Sequence, residues 1–304
     1  MTQAVNRDVV AQVWIISDGK PGHLNQSRGL ADALLRNRPD WQVKEIPAMT
    51  FIQAVMTALL SRRSGTQPRP ELIIAAGHHT HLSALALGRK TGARTVVIMQ
   101  PSLPTRWFDV ALIPEHDQPA MQSNVILTKG ALNRMQPADK TANSGMILIG
   151  GPSKHYGWDN ETVITQLGAL LAASPRHWLI TTSRRTPGDL LPRLQALVSA
   201  NVELLPFEKT GPDWLAQQLP KKEICWVTPD SVSMIYEALT AGCRVGVFNL
   251  PEPSDSRVVK GLQSLINNKQ LMTATDDSDK TPSQTRPLDE ASRCAQTLLT
   301  RFAL

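Results

Sequence analysis

Short apolar runs alternate with amphipathic stretches along almost the whole chain. Runs such as Val13-Trp14-Ile15-Ile16 and Met146-Ile147-Leu148-Ile149 are bounded by polar residues and too short for helices, so they read as buried strands. In the first half the pattern predicts strands over Val13–Ser17, Gln42–Ile46, Leu72–Ala75, Thr95–Met99, Val110–Ile113 and Val125–Leu127. Helices are predicted over Asn25–Arg36, Phe51–Ser61 and Thr80–Lys90. The first of these sets Leu30, Ala31, Leu34 and Leu35 on one face. After the polar stretch Gln136–Ser144 the pattern restarts, with strands over Met146–Ile149, Trp178–Thr181, Val202–Leu204, Ile224–Val227 and Arg244–Phe248. Helices over Asn160–Ala173, Pro187–Ser199, Gly211–Gln217, Ser231–Ala241 and Ser256–Asn267 fill the gaps. Asp276–Arg286 is polar and reads as a loop, and Leu288–Phe302 reads as a last amphipathic helix.

Such alternation favours α/β units with mainly parallel sheets. Its restart predicts two doubly wound, Rossmann-like domains facing a cleft, with ligands bound beyond the carboxyl ends of the strands. A chain of 304 residues is long enough for two such cores.

Composition narrows the partners. Hydrophobic residues make up 41%, without an apolar run long enough to cross a bilayer. Met1–Asp8 is polar and lacks the apolar stretch of a secretory signal. The expectation is a cytoplasmic protein, with at most a peripheral contact at the anionic inner face of the membrane. A net charge of +6 suits anionic lipid, phosphorylated small molecules or nucleic acid. The basic residues are scattered, as in Arg62-Arg63, Arg184-Arg185 and Lys221-Lys222, without a nucleic-acid motif. With two tyrosines and five phenylalanines there is little to stack on bases, so nucleic acid is not an expected partner. Cys225, Cys243 and Cys294 lack C-x-x-C spacing and read as reduced structural thiols.

Four segments carry candidate chemistry. Asp18-Gly19-Lys20-Pro21-Gly22-His23-Leu24-Asn25-Gln26 follows a strand and precedes a helix. Backbone N–H groups at such a turn suit an anion or polar ligand, and Lys20, His23 and Asn25 add charge and hydrogen bonding. The spacing is neither G-x-G-x-x-G nor a Walker loop. The plainer alternative is a glycine turn with His23 packed behind it. Gly150-Gly151-Pro152-Ser153-Lys154-His155 repeats the geometry, offering N–H groups and Lys154 to a phosphate, or else a simple turn. Arg184 and Arg185 end the next strand, where arginine suits bidentate phosphate or carboxylate recognition.

The fourth segment runs from Thr228 to Gly242. On a helix, Val232, Ile235, Tyr236 and Leu239 share an apolar face, while Ser233, Glu237 and Thr240 fall opposite it near Asp230. Small hydroxyls around one carboxylate suit a wall against a ligand, with Glu237 accepting from both hydroxyls of a ribose. The alternative is a solvated or internally paired glutamate. Asp230 would cap the helix yet repel a phosphate, moving the diphosphate charge toward Gly150–Lys154 and the arginines. Ala76-Gly77-His78-His79-Thr80-His81 has the look of a metal cluster, but no nearby Asp, Glu or Cys completes one, so no metal is expected. It reads instead as a strand-end loop with one histidine toward the cleft.

Together, Asp18–Gln26, Gly150–Tyr156, Ser183–Pro187 and Asp230–Glu237 resemble the family named for a plant mitochondrial-fission factor, over nearly the whole chain. Its bacterial members are described as glycosyltransferases or nucleotide-sugar epimerases. The family is similar to GT-B glycosyltransferases, among them the enzyme that makes lipid II. The resemblance implies a GT-B fold with an acceptor-side domain over residues 1–140 and a nucleotide-sugar domain over 141–286. It also implies that the final helix, within 287–304, returns to the first domain. On the acceptor side it implies Gly22 and His23, and the same two loops offer Gly19, Lys20, Asn25, Gln26, His78 and His79 as further acceptor-side candidates. At the donor diphosphate it implies Gly150, Gly151 and Ser153, and at the ribose Glu237; Lys154, Arg184, Arg185, Ser231 and Ser233 are further candidates for the diphosphate from the residue types alone. Lys20 and Pro21 depart from the all-small loop of the lipid II enzyme.

The expected activity is metal-independent transfer of a sugar from a nucleoside-diphosphate donor, which is a substrate, so no cofactor is expected. His23 is the candidate base, with one histidine of His78–His81 as its substitute, and a lipid or lipopolysaccharide core is the candidate acceptor. One alternative is a nucleotide-sugar epimerase, for which Glu115, His116 and Asp117 would supply acid and base. The other is a non-catalytic nucleotide-sugar-binding or interaction protein.

Overall fold

The computed structural model describes residues 10–60, 69–252, 256–273 and 287–304. Met1–Asp8, Arg62-Arg63 and the loop read over Asp276–Arg286 lie outside the described residues. The chain divides into two compact units, Met1–Arg134 with Glu290–Leu304, and Met135–Asp289.

The first unit runs β1 (Gln12–Ser17), α1 (Pro21–Asn37), β2 (Gln42–Pro47), α2 (Phe51–Leu60), β3 (Pro70–Ala76), α3 (His81–Thr91), β4 (Arg94–Ile98), β5 (Val110–Pro114) and β6 (Val125–Thr128). All six strands are parallel, in the order β2-β1-β3-β4-β5-β6. The strands read as continuous apolar runs because both faces of the sheet are covered. Val13, Ile15, Leu72 and Ile74 face Leu30 and Leu34 of α1, while Ile16, Ile73 and Ala75 face Ala84 and Leu87 of α3.

The second unit runs β7 (Thr141–Leu148), α4 (Asn160–Ala173), β8 (His177–Thr181), α5 (Leu191–Gln195), β9 (Val202–Leu205), α6 (Trp214–Gln218), β10 (Lys222–Val227), α7 (Val232–Thr240), β11 (Arg244–Val247) and α8 (Arg257–Asn267). Its parallel strands take the order β11-β10-β7-β8-β9 around a core of Met146–Ile149, Ile180 and Ile224–Val227. The last helix, α9 (Glu290–Phe302), leaves this unit and buries Ala291, Cys294 and Leu298 against Leu30 and Leu34 of the first.

Both units are thus Rossmann-like and doubly wound. In each, the strand order reverses beside the first strand, between β1 and β3 and between β7 and β10. Ligands in open α/β sheets bind at this reversal, outside the carboxyl ends of the strands.

Two elements differ from the sequence expectation. The helix predicted from Asn25 begins at Pro21, whose fixed φ and missing N–H suit the first helical position. The helix predicted over 187–199 shrinks to a 3₁₀ turn, Gly188–Leu190, and the five-residue α5. Pro192 is tolerated only in a first turn, so no α-helix can continue through it from Pro187.

Candidate functional site

At the reversal of the first sheet, Asp18–Lys20 alone is a turn, and Gly22, His23, Asn25 and Gln26 lie on the opening turns of α1. Lys20 and Gly22 are exposed and Asn25 is half-buried. Gly19 has φ +77, and the turn closes through Gly19 N–H to Ser17 Oγ (3.2 Å) and Lys20 N–H to Asp18 Oδ1 (3.2 Å). Among the described residues, the N–H groups of Gly22 and His23 meet no acceptor and Lys20 supplies no side-chain cap.

His23 Nδ1 lies 2.9 Å from Asp18 Oδ2. An ionised carboxylate only accepts, so Nδ1 carries the hydrogen, and whenever the ring is neutral Nε2 keeps its lone pair. The Asp18 side chain is 3% exposed and that of His23 is 23% exposed, so the acid is sealed in while the imidazole reaches solvent. Burial works to raise the Asp18 pKa. Hydrogen bonds from His23 and the Lys20 N–H, with the positive charge of both side chains, outweigh it and hold the carboxyl below its usual range.

Gly77, at the end of β3, makes room for this pair. Its φ of +87 and ψ of 150 are open essentially to glycine alone. A Cβ there would sit 2.3 Å from the His23 ring and 3.1 Å from Asp18 Oδ2. Gln26 donates to Met99 Sδ at 3.5 Å, and Met99 itself holds a φ of +72 at the end of β4.

The histidines after Gly77 part company. His78 and His79 are exposed, with ring centroids 3.8 Å apart. His81 is buried, 3.2 Å from Ser102 Oγ and edge-on to Phe108. Among the described residues no three His, Cys, Asp or Glu side chains converge as metal ligands. Burial, with the nearby His78 and His23, pulls the His81 pKa down to about 4. Native His81 therefore stays neutral between about pH 6.5 and 4, where the unfolded chain binds a proton. Stability is expected to fall by about 3 kcal/mol as pH drops through that window. Urea midpoints across the range check this, since His81→Gln should flatten the dependence; an unchanged slope would refute it.

At the reversal of the second sheet, the paired glycines are occupied. Gly150 N–H donates to Thr228 Oγ1 (2.7 Å) and Gly151 N–H to Asp230 Oδ2 (3.0 Å). Thr186 Oγ1 donates to Gly150 O (2.6 Å). A Cβ on Gly150 would meet Asp230 Oδ2 at 2.2 Å, and one on Gly151 would meet Arg185 O at 1.9 Å. The glycines hold a close backbone approach, and their N–H groups are spent within the loop. Ser153 Oγ accepts from the N–H groups of His155 and Tyr156, and Lys154 is exposed.

Asp230 does not cap α7. Its side chain is 0% exposed, and Arg185 Nη2 meets Oδ2 at 2.7 Å, offsetting the negative charge that would repel a phosphate. Arg184 points elsewhere, over the Phe207 ring at 5.1 Å. Ser231 stands at the N-cap, yet its hydroxyl makes no capping bond. The N–H groups of Val232, Ser233 and Met234 meet no acceptor among the described residues. Ser233 is exposed, whereas Glu237 is buried at 9% exposure. Thr240 turns to structure, its hydroxyl donating to Leu288 O at 2.8 Å. Lys140 Nζ closes the far end of α7 at Ala241 O (2.7 Å), complementing the helix dipole.

Asp18, Gly77, Thr186 and Thr228 were not singled out by sequence, although each directly follows or lies within a few residues of a strand's carboxyl end. A glycine closing an apolar run before polar residues, as at Gly77, is a signal that could have found it.

The mitochondrial fission ELM1 family profile matches residues 21–302. The uncharacterized protein RP120 of Rickettsia prowazekii (strain Madrid E) is 22% identical, with 96% of this chain and 98% of that protein covered. Among solved structures, the fold is similar to the UDP-GlcNAc 2-epimerase of Methanocaldococcus jannaschii. That match has a TM-score of 0.57 at 10% identity and covers 95% of this chain and 99% of the other. It is also similar to the glycotransferase of kitacinnamycin, with a TM-score of 0.50 at 14% identity, covering 96% and 95%. At these identities the likeness is one of fold, the two-domain GT-B architecture.

Proposed function

This chain belongs to the mitochondrial fission ELM1 family, and from that premise we propose that it is a glycosyltransferase acting on a nucleoside-diphosphate sugar without a resident metal. The observation that carries the reading is the open first turn of α7 at the second sheet's reversal, with Ser231 and Ser233 beside it and Glu237 further along the same helix. Three unpaired N–H groups and the helix dipole suit a diphosphate, and their fixed orientation suits the charge that builds as the leaving group departs. Ser153 and Lys154 on the loop after β7 add to that site, while Gly150 and Gly151 shape it. Glu237 takes the ribose hydroxyls.

His23 takes the proton of an acceptor hydroxyl on Nε2, and Asp18 holds the ring and balances the imidazolium. The acceptor oxygen bonds to the sugar carbon as the bond to the diphosphate breaks, and the nucleoside diphosphate leaves. A lipid-linked or lipopolysaccharide-core hydroxyl is the proposed acceptor, which the net charge of +6 favours.

Thermal shift against UDP, ADP and their sugars tests the donor site. A ligand at about 100 times its Kd stabilises by about 2.7 kcal/mol. Glu237→Gln is expected to remove most of the shift while leaving the unliganded midpoint within a few degrees. No shift with any nucleotide would count against the reading.

An epimerase on the same scaffold is the second reading, favoured by the fold likeness to the UDP-GlcNAc 2-epimerase. Glu115–Asp117, a 3₁₀ turn after β5 without a buried residue, is its acid–base candidate. Accumulation of an epimer from nucleotide sugar alone, without acceptor, would establish it.

A further inference from the structure

Helix α2 is built the wrong way round for a surface helix. Ala54 is buried, whereas Phe51 is 68% exposed, Ile52 74%, Met56 50% and Leu59 72%, with Val55 exposed between them. Positions 51, 52, 55, 56 and 59 share one face, so the exposed side of an uncharged helix is a continuous apolar strip. Apolar patches of this kind mark contact surfaces.

We propose that this face docks the protein on an anionic lipid bilayer. Charge points to that occupant. Neither α2 nor α3, which packs beside it, contains an Asp or Glu, and α3 ends in Arg89 and Lys90. The chain as a whole carries +6. An uncharged apolar strip beside a helix that ends in two cations, on a chain of net positive charge, is what an anionic interface attracts and then solvates. A second copy of the chain is a poorer fit. A face about 15 Å long and about 10 Å wide falls well short of the ~800 Å² per partner of a stable interface. Among the described residues no helix is long and apolar enough to cross a membrane, so α2 lies along the interface.

The placement gives docking a use. Ala48 N–H donates to Ser17 O at 2.8 Å, so the chain entering α2 is tied to the strand end that opens into the Asp18–His23 turn. Phe51 and Ile52 thus start at the sheet edge that carries the histidine. An acceptor hydroxyl held at a membrane surface would meet His23 from this edge.

The assignment is independent of the proposed reaction, because its readout is lipid binding. The full chain is sedimented with vesicles of phosphatidylcholine alone and of phosphatidylcholine with phosphatidylglycerol, at low and high salt. Binding to the anionic vesicles, weakened by salt, is expected. Ile52→Ser with Leu59→Ser should reduce it about tenfold or more, with the thermal midpoint unchanged because both residues are already in solvent. Phe51→Ser, made separately, should move binding in the same direction. No sedimentation with anionic vesicles would overturn the proposal, as would binding that survives these substitutions. So would a dimer in vesicle-free solution that the double variant dissolves, which would assign the strip to a second copy.

Discussion

His23→Ala is expected to lower turnover of the nucleotide sugar by about 10²–10⁴-fold, the usual worth of a positioned general base, while the donor-induced thermal shift stays intact. The separation follows from the fold. His23 belongs to the first unit and the open turn of α7 to the second, each with its own core. Among the described residues, only His23 combines a ring nitrogen left over from the pairing, partial exposure and a buried carboxylate partner 2.9 Å away. His78 and His79 are exposed, and His81 is buried and held neutral. Asp18→Asn should therefore fall between wild type and His23→Ala, with kcat reduced and KM for the donor unchanged. Full activity of His23→Ala would remove the histidine from the chemistry, and an equal loss of donor binding would recast its role as structural.

Gly77→Ala is expected to be among the most damaging single substitutions in the first unit. Holding a non-glycine residue at φ +87 and ψ 150 costs about 1–3 kcal/mol. The new methyl would also meet the His23 ring at 2.3 Å and push it off Asp18. Overpacking of that kind costs about 1–3 kcal/mol more. A combined loss of roughly 2–6 kcal/mol should appear as a drop of many degrees in the midpoint. What activity survives should resemble that of His23→Ala. Gly22→Ala is the control: a Cβ there meets nothing within 4 Å, so little change is expected. Similar midpoints for the two variants would show that the crowding at Gly77 is relieved by movement.

The alternating pattern carried the fold because it records burial. Runs such as Leu72-Ile73-Ile74-Ala75 are apolar at every position, as only strands covered on both faces can be. Gly150-Gly151 was legible as a special loop, since paired glycines after a strand announce a close approach. What approaches was not legible. The Asp230 carboxylate and the Arg185 carbonyl fill that space, from loops dozens of residues away. The diglycine N–H groups, open to a diphosphate on sequence grounds, are bonded to Thr228 and Asp230, and the open N–H groups belong to α7.

By itself, then, the sequence determined the α/β class, the strand positions and the residue types gathered at strand ends, because periodicity and turn chemistry act locally. Tertiary structure alone decided that Asp18, His23 and Gly77 form one cluster and that Arg185 neutralises Asp230. It alone decided that Thr240 serves Leu288 and that α2 turns its apolar side outward. Each of these depends on strand order, and strand order is set by packing between segments far apart in the chain, which no local pattern records.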